Sequence, residues 1–125
     1  MNKKQILNWI LVIVWVGVIY WFSHQPNLKS ELEPFWDLIF RKIAHMAEYF
    51  VLTFFIFQAV AGHNIGYKKS LMSAAIFSVA YAGLDEWHQS FIFNRHGSII
   101  DVGIDSIGVF SFLILKIIYG KNLSN

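Results

Sequence analysis

Residues 6–22 read ILNWILVIVWVGVIYWF, a run without a single charge, and Lys3 and Lys4 stand just before it. At a helical rise of ~1.5 Å per residue the run nearly bridges a ~30 Å hydrocarbon core, and its flanks supply the remainder. A basic start before an apolar run also describes a secretory signal. This run exceeds the ~7–15 apolar residues of such a signal. In addition, Trp21-Phe22-Ser23-His24-Gln25-Pro26 offers no small-x-small cleavage site. It therefore reads as an uncleaved first membrane helix, with Tyr20, Trp21 and Phe22 as an aromatic belt at its far end.

Composition extends the same reading to the whole chain. Of 125 residues, 56% are hydrophobic, 18% aromatic and only 14% charged, where a soluble domain carries about 25% charged residues. A compact soluble fold of this size cannot hide that much apolar surface. Disorder and nucleic-acid binding both need charge-rich sequence and are excluded as main readings. There is no cysteine, so thiolate chemistry and thiolate metal sites are excluded as well.

Three more apolar segments follow. The second runs from Ile43 to Ala61 and stops at the turn-rich Gly62-His63-Asn64-Ile65-Gly66. The third is apolar or small only from Leu71 to Leu84, too short to span, so its helix is expected to continue through Asp85-Glu86-Trp87-His88-Gln89 towards Phe93. The fourth runs from Ile99 to Tyr119 and carries Asp101 and Asp105. The expected architecture is an all-α membrane protein: one domain over residues 1–125, a four-transmembrane-helix bundle with helices near 5–23, 42–61, 70–93 and 99–119.

Between the first two helices, Leu28, Leu32, Phe35, Trp36, Ile39 and Phe40 recur at spacings of three and four, with Lys29, Glu31, Glu33, Asp37 and Arg41 between them. Pro34 suits a first helical turn. The segment reads as a short interfacial helix, with an ordinary covering loop as the alternative.

Charge placement orients the bundle. Lys3, Lys4, Lys68, Lys69, Lys116 and Lys121 share one side of a four-span chain; Lys29, Arg41, Lys42 and Arg95 share the other. The positive-inside rule then puts both termini in the cytoplasm of a multi-pass cell-membrane protein. All eight acids (Glu31, Glu33, Asp37, Glu48, Asp85, Glu86, Asp101 and Asp105) fall in the outer loops or outer helix halves.

Depth follows from the rise per residue. Counted from Lys42, Phe93 and Ile99, Glu48 lies about 9 Å, Asp85 roughly 12 Å and Asp105 about 9 Å below the outer boundary. Ionisable residues at such depth are costly and normally face a partner or a water-filled cavity, so a functional site is the default hypothesis. Facing directions agree: Arg41, His45, Glu48 and Leu52 follow one helical stripe, Asp85, His88 and Gln89 another, and Asp101, Asp105 and Gly108 a third. Gly108 permits close helix approach. Ser23 and His24 sit at the same mouth, and Arg95 has the reach to pair with these acids or with an anionic ligand.

The pieces Ser23-His24-Gln25-Pro26, Lys42-Ile43-Ala44-His45-Met46-Ala47-Glu48-Tyr49, Asp85-Glu86-Trp87-His88-Gln89 and Arg95-His96-Gly97-Ser98-Ile99-Ile100-Asp101, continued by Asp105-Ser106-Ile107-Gly108, resemble the VanZ-like family. The resemblance covers about Ser23 to Gly108, with every motif in order. It implies a small bacterial membrane protein of the cell envelope, from a family whose founding member is linked to low-level teicoplanin resistance. It implies no particular reaction.

Four readings of the polar residues compete. A divalent metal on His45, Glu48, Asp85, Glu86 and Asp101 is chemically reasonable, but no compact motif such as H-E-x-x-H is present, so neither metal nor cofactor is expected. Acid–base work by Glu48, Asp85, Glu86 and Asp105 on a lipid-linked substrate is a second reading, without a nucleophile elbow to support it. Mutual neutralisation that merely locks helices together is a third. The favoured reading is recognition: Lys42, His45, Glu48, Tyr49, Asp85, Glu86, Gln89, Arg95, Asp101 and Asp105 form a ligand-binding site. Its partners would be membrane lipids or a lipid-linked cell-wall precursor. Transport is disfavoured, because the inner helix halves lack ionisable groups to relay an ion.

Overall fold

The computed structural model describes residues 1–24, 34–91 and 99–123. They form four helices: α1 (Lys3–His24), α2 (Pro34–Ala61), α3 (Tyr67–Gln89) and α4 (Ile99–Leu123). Helix α1 opens on a reciprocal cap, in which Asn2 Oδ1 accepts from the Gln5 amide and Gln5 Oε1 accepts from the Asn2 amide, each at 2.9 Å. The α2–α3 connection turns back within five residues, using Asn64 at φ 57° and Gly66 at φ 101°. Gly66 meets that backbone demand without a Cβ penalty.

Two helix boundaries correct the expectations. Pro34, placed at a first helical turn, begins α2 itself, and the helix then runs unbroken for 28 residues. Residues 34–41 are therefore continuous with the second apolar helix, and no separate short helix precedes it among the described residues. The cause is local: Pro34 is a good first residue, and nothing from Phe35 to Ile43 breaks the helix. Helix α3 ends at Gln89, where the Ser90 amide closes on the Glu86 and Trp87 carbonyls, rather than near Phe93. Asp85 is thus one turn from the helix end, about 6 Å instead of 12 Å.

Helices α2, α3 and α4 pack pairwise against one another, while α1 packs mainly on α2 and slightly on α3. Chain ends and turns cluster. Gln5 Nε2 donates to the Gly62 carbonyl at 2.5 Å, and the Tyr67 hydroxyl donates to the Lys116 carbonyl at 2.7 Å. These contacts gather Lys3, Lys4, Lys68, Lys69 and Lys116 at one end of the bundle. Asp85, Asp101 and Asp105 lie towards the other.

Among the described residues, three helices are long and apolar enough to cross a membrane: Lys3–Ser23, Leu38–Ala61 and Ile99–Gly120. Helix α3 is also long, at 23 residues, but less apolar. Its pattern is the reverse of a soluble amphipathic helix. The buried face is Ser70, Leu71, Ala74, Ser78, Ala82, Asp85, Glu86 and Gln89. The exposed face carries Met72, Ile76, Phe77, Leu84 and Trp87. Small residues thus form the packing face and large apolar ones the outer face.

The core is correspondingly tight around α2. Tyr49, Leu52 and Ala59 are fully buried, as are Ile19 of α1, Ala74 and Ala82 of α3, and Val109 of α4. A Cβ added at Gly108 would overlap the Met46 carbonyl, so the missing side chain lets α4 press directly on the α2 backbone. In mid-bundle, Thr53 donates to the Tyr49 carbonyl at 2.7 Å and lies 2.9 Å from the Ser78 hydroxyl, joining α2 to α3.

Candidate functional site

Asp85 is the centre of the polar cluster. It sits in the last full turn of α3 and is 4% exposed. Its Oδ2 accepts from the Ser23 hydroxyl of α1 at 2.9 Å and from the Tyr49 phenol of α2 at 3.1 Å. The two donors anchor the carboxylate from two other helices, and charge-assisted bonds of this kind are about twice as strong as neutral ones.

Asp105 reaches the same level from α4 and is 1% exposed. Its position follows from Gly108: one turn further along α4, the Met46 contact draws the two helices together and brings Asp105 opposite His45. His45 Nδ1 stands 3.5 Å from Asp105 Oδ1 and 3.8 Å from Glu48 Oε2. Single ligand-type atoms of His45, Asp85 and Asp105 all lie within 4.8 Å of one another. Three helices therefore deliver an imidazole and two carboxylates to one point.

The cluster is graded in exposure. Towards solvent, Lys42 and Asp101 form an ion pair with side chains 33% and 24% exposed. His45 and Glu48 are intermediate, and Asp85, Glu86, Gln89 and Asp105 close the floor. Tyr49 lies beneath, fully buried. Glu48 also fixes the first helix through its backbone, because the Trp15 indole donates to its carbonyl at 2.9 Å.

The candidate residues thus divide. His45 contacts Glu48 and Asp105, Tyr49 bonds Asp85, and His45, Asp85 and Asp105 converge within 4.8 Å. Glu86 and Gln89 share their buried face of α3, and Lys42 with Asp101 forms the rim. Arg95 lies outside the described residues, as does the His24 side chain. His63 belongs to the opposite end, where its Nε2 accepts from the Trp9 indole at 2.9 Å. His88 packs its ring 5.0 Å from that of Tyr20.

Sequence reasoning undervalued Ser23. It reads as a helix-end residue at the mouth, yet it is 1% exposed and holds Asp85. Thr53, Ser78 and Tyr81 went unnoticed too; the Tyr81 hydroxyl donates to the Val16 carbonyl at 3.1 Å. The available signal was the four-residue repeat of small residues Ser70, Ala74, Ser78 and Ala82 leading to Asp85, a packing stripe that points straight at the cluster.

Apolar residues turned outward on every helix, and carboxylates turned inward on α3 and α4, define a multi-pass helical membrane protein. Comparison with known proteins narrows this class. The VanZ/LLP1 family matches residues 8–119, and the chain belongs to that family. The chain is also similar to the uncharacterized membrane protein YwnJ of Bacillus subtilis (strain 168). The two are 29% identical over 137 aligned positions, which cover 94% of this chain and 91% of that protein. No solved structure matches the chain.

Proposed function

We propose that this VanZ/LLP1 protein acts at the cell envelope, binding the head group of an envelope lipid or lipid-linked wall precursor in the graded polar cluster. On this reading α3 is a fourth span, both termini are cytoplasmic, and the cluster opens towards the outer leaflet. The observation that carries the reading is burial: Asp85, Glu86, Gln89 and Asp105 are each at most 5% exposed, beneath a partly open Lys42–Asp101 rim. Sinking so much polarity between helices is costly unless the site serves a ligand.

The roles divide by charge. Lys42, with Arg95, grips the anionic part of the head group; His45 and Glu48 orient it; Asp85, Glu86 and Asp105 set the field at the floor. The first turns of α2 extend the span beyond the hydrocarbon, with exposed Phe35, Trp36, Leu38 and Phe40 in the head-group layer. At 28 residues α2 is about 42 Å long, more than a hydrocarbon core requires. Because teicoplanin-type glycopeptides act on lipid-linked precursors outside the membrane, such a site would lower susceptibility to them.

Native mass spectrometry of the detergent-purified chain with polyprenyl-phosphate-linked and ordinary anionic lipids tests the reading. Retention of one lipid per chain by the wild type, lost in Lys42→Gln, supports it. Equal retention by both proteins sinks it. A membrane enzyme using the same acids is the second reading, favoured by the imidazole of His45 standing between two carboxylates. Overexpression that alters the lipid-extract profile would select it.

A further inference from the structure

We propose that His45, Asp85 and Asp105 form a binding site for a divalent first-row transition-metal cation. The His45–Asp105 distance is that of two metal ligands rather than of a hydrogen bond. His45 Nδ1 and Asp105 Oδ1 are 3.5 Å apart, beyond the ~2.7–3.2 Å of an N–H···O bond. Two ligands of a tetrahedral zinc ion, each bound at about 2.0–2.1 Å, are separated by about 3.3–3.5 Å. The third ligand, an Asp85 oxygen, falls in the same 4.8 Å cluster.

A second observation points to a ligand. Asp105 is 1% exposed, yet its Oδ2 has no hydrogen-bond partner among the described residues. A carboxylate oxygen withdrawn from water and left without a donor is rare in a folded protein, and a cation is the partner its charge calls for. Gln89, 4% exposed and one turn from Asp85 on α3, likewise has an Nε2 without a partner among the described residues.

The surroundings are those of a held ligand set. Ser23 and Tyr49 both donate to Asp85 Oδ2, restraining the carboxylate much as outer hydrogen bonds restrain the ligands of known metal sites. One imidazole nitrogen with two carboxylate oxygens, and no sulfur, favours Zn²⁺, Co²⁺ or Mn²⁺ over a soft ion such as Cu⁺. Three protein ligands leave a further coordination position for water or an anionic oxygen. A cation would also resolve a tension in the cluster, since an anionic head group would otherwise meet three buried acids. Metal binding requires no lipid, so this inference and the head-group reading can fail separately.

The test is a Co²⁺ titration of the untagged full chain in detergent micelles after chelator treatment, read by ligand-field absorption, with Zn²⁺ as competitor. One Co²⁺ per chain, displaced by Zn²⁺, is expected. Asp105→Asn and His45→Gln should each weaken binding at least a hundredfold. Tyr49→Phe, which keeps all three ligands, should weaken it by about tenfold. His63→Ala, at the basic end, should change nothing. Absence of saturable binding in the wild type overturns the proposal, as does wild-type affinity in both His45→Gln and Asp105→Asn. Should either ligand variant fail to fold, the other and Tyr49→Phe decide, and unchanged affinity in these overturns the proposal equally.

Discussion

Gly108 of α4 faces the backbone carbonyl of Met46 on α2 so closely that a single added Cβ would overlap it. That contact lies one turn from Asp105 on α4 and next to His45 on α2, so the spacing of these two helices sets the spacing of the cluster.

Gly108→Ala should therefore destabilise the bundle by about 1–3 kcal/mol, the usual cost of overpacking. Gly103→Ala, on the same helix with nothing near its Cβ position, should be neutral or stabilising by up to about 1 kcal/mol. Thermal unfolding in micelles measures both. A smaller loss at position 108 than at position 103 would show that α2 and α4 are not in direct contact.

Removing a donor from Asp85 should cost stability in a graded way. Tyr49→Phe and Ser23→Ala each delete one hydrogen bond to Oδ2, and each should cost about 1–3 kcal/mol. Their double variant should lose more than the sum, because the carboxylate is then left without either donor. Additive losses would mean that water replaces the missing hydroxyls.

Glu86→Gln keeps the shape of a buried side chain and removes its charge. If the cluster serves a ligand, the variant should abolish any effect of the protein on glycopeptide susceptibility while its membrane abundance stays at the wild-type level. Susceptibility assays paired with immunoblots read the two quantities, and abundance falling in step with phenotype would assign Glu86 to packing.

Topology is testable with single cysteines, since the chain has none of its own. A cysteine at Asn94, between α3 and α4, should react with a membrane-impermeant thiol reagent in intact cells. One at Gly62 should react only after permeabilisation. The reverse pattern would turn the polar cluster towards the cytoplasm.

Helices α1, α2 and α4 were legible because long uncharged runs have few alternatives in water. The start of α2 was not: Phe35, Trp36, Ile39 and Phe40 form a helical pattern of their own, and a hydropathy reading sees a break where the backbone has none. Helix α3 hid its packing face, because Ser70, Ala74, Ser78 and Ala82 carry little hydrophobic signal yet lie fully or almost fully buried. Within the polar cluster, helical spacing put His45 and Glu48 on one face. What it could not show is tertiary, namely that Asp101 turns to Lys42 while Asp105 turns to His45.

The inverted pattern of α3 also bears on how the chain enters a bilayer. A helix whose buried stripe includes Asp85 and Glu86 is a poor candidate for partitioning alone, since acids disfavour insertion, most at a helix centre (about 2.5–3.5 kcal/mol each) and less towards its end. Only five residues separate it from α2. If α3 spans, the two helices must be handed to lipid as a hairpin, with Thr53–Ser78 and Tyr49–Asp85 contacts forming before or during release. Substitutions at Thr53 or Tyr49 would then surface as insertion faults in α3, a helix they do not belong to.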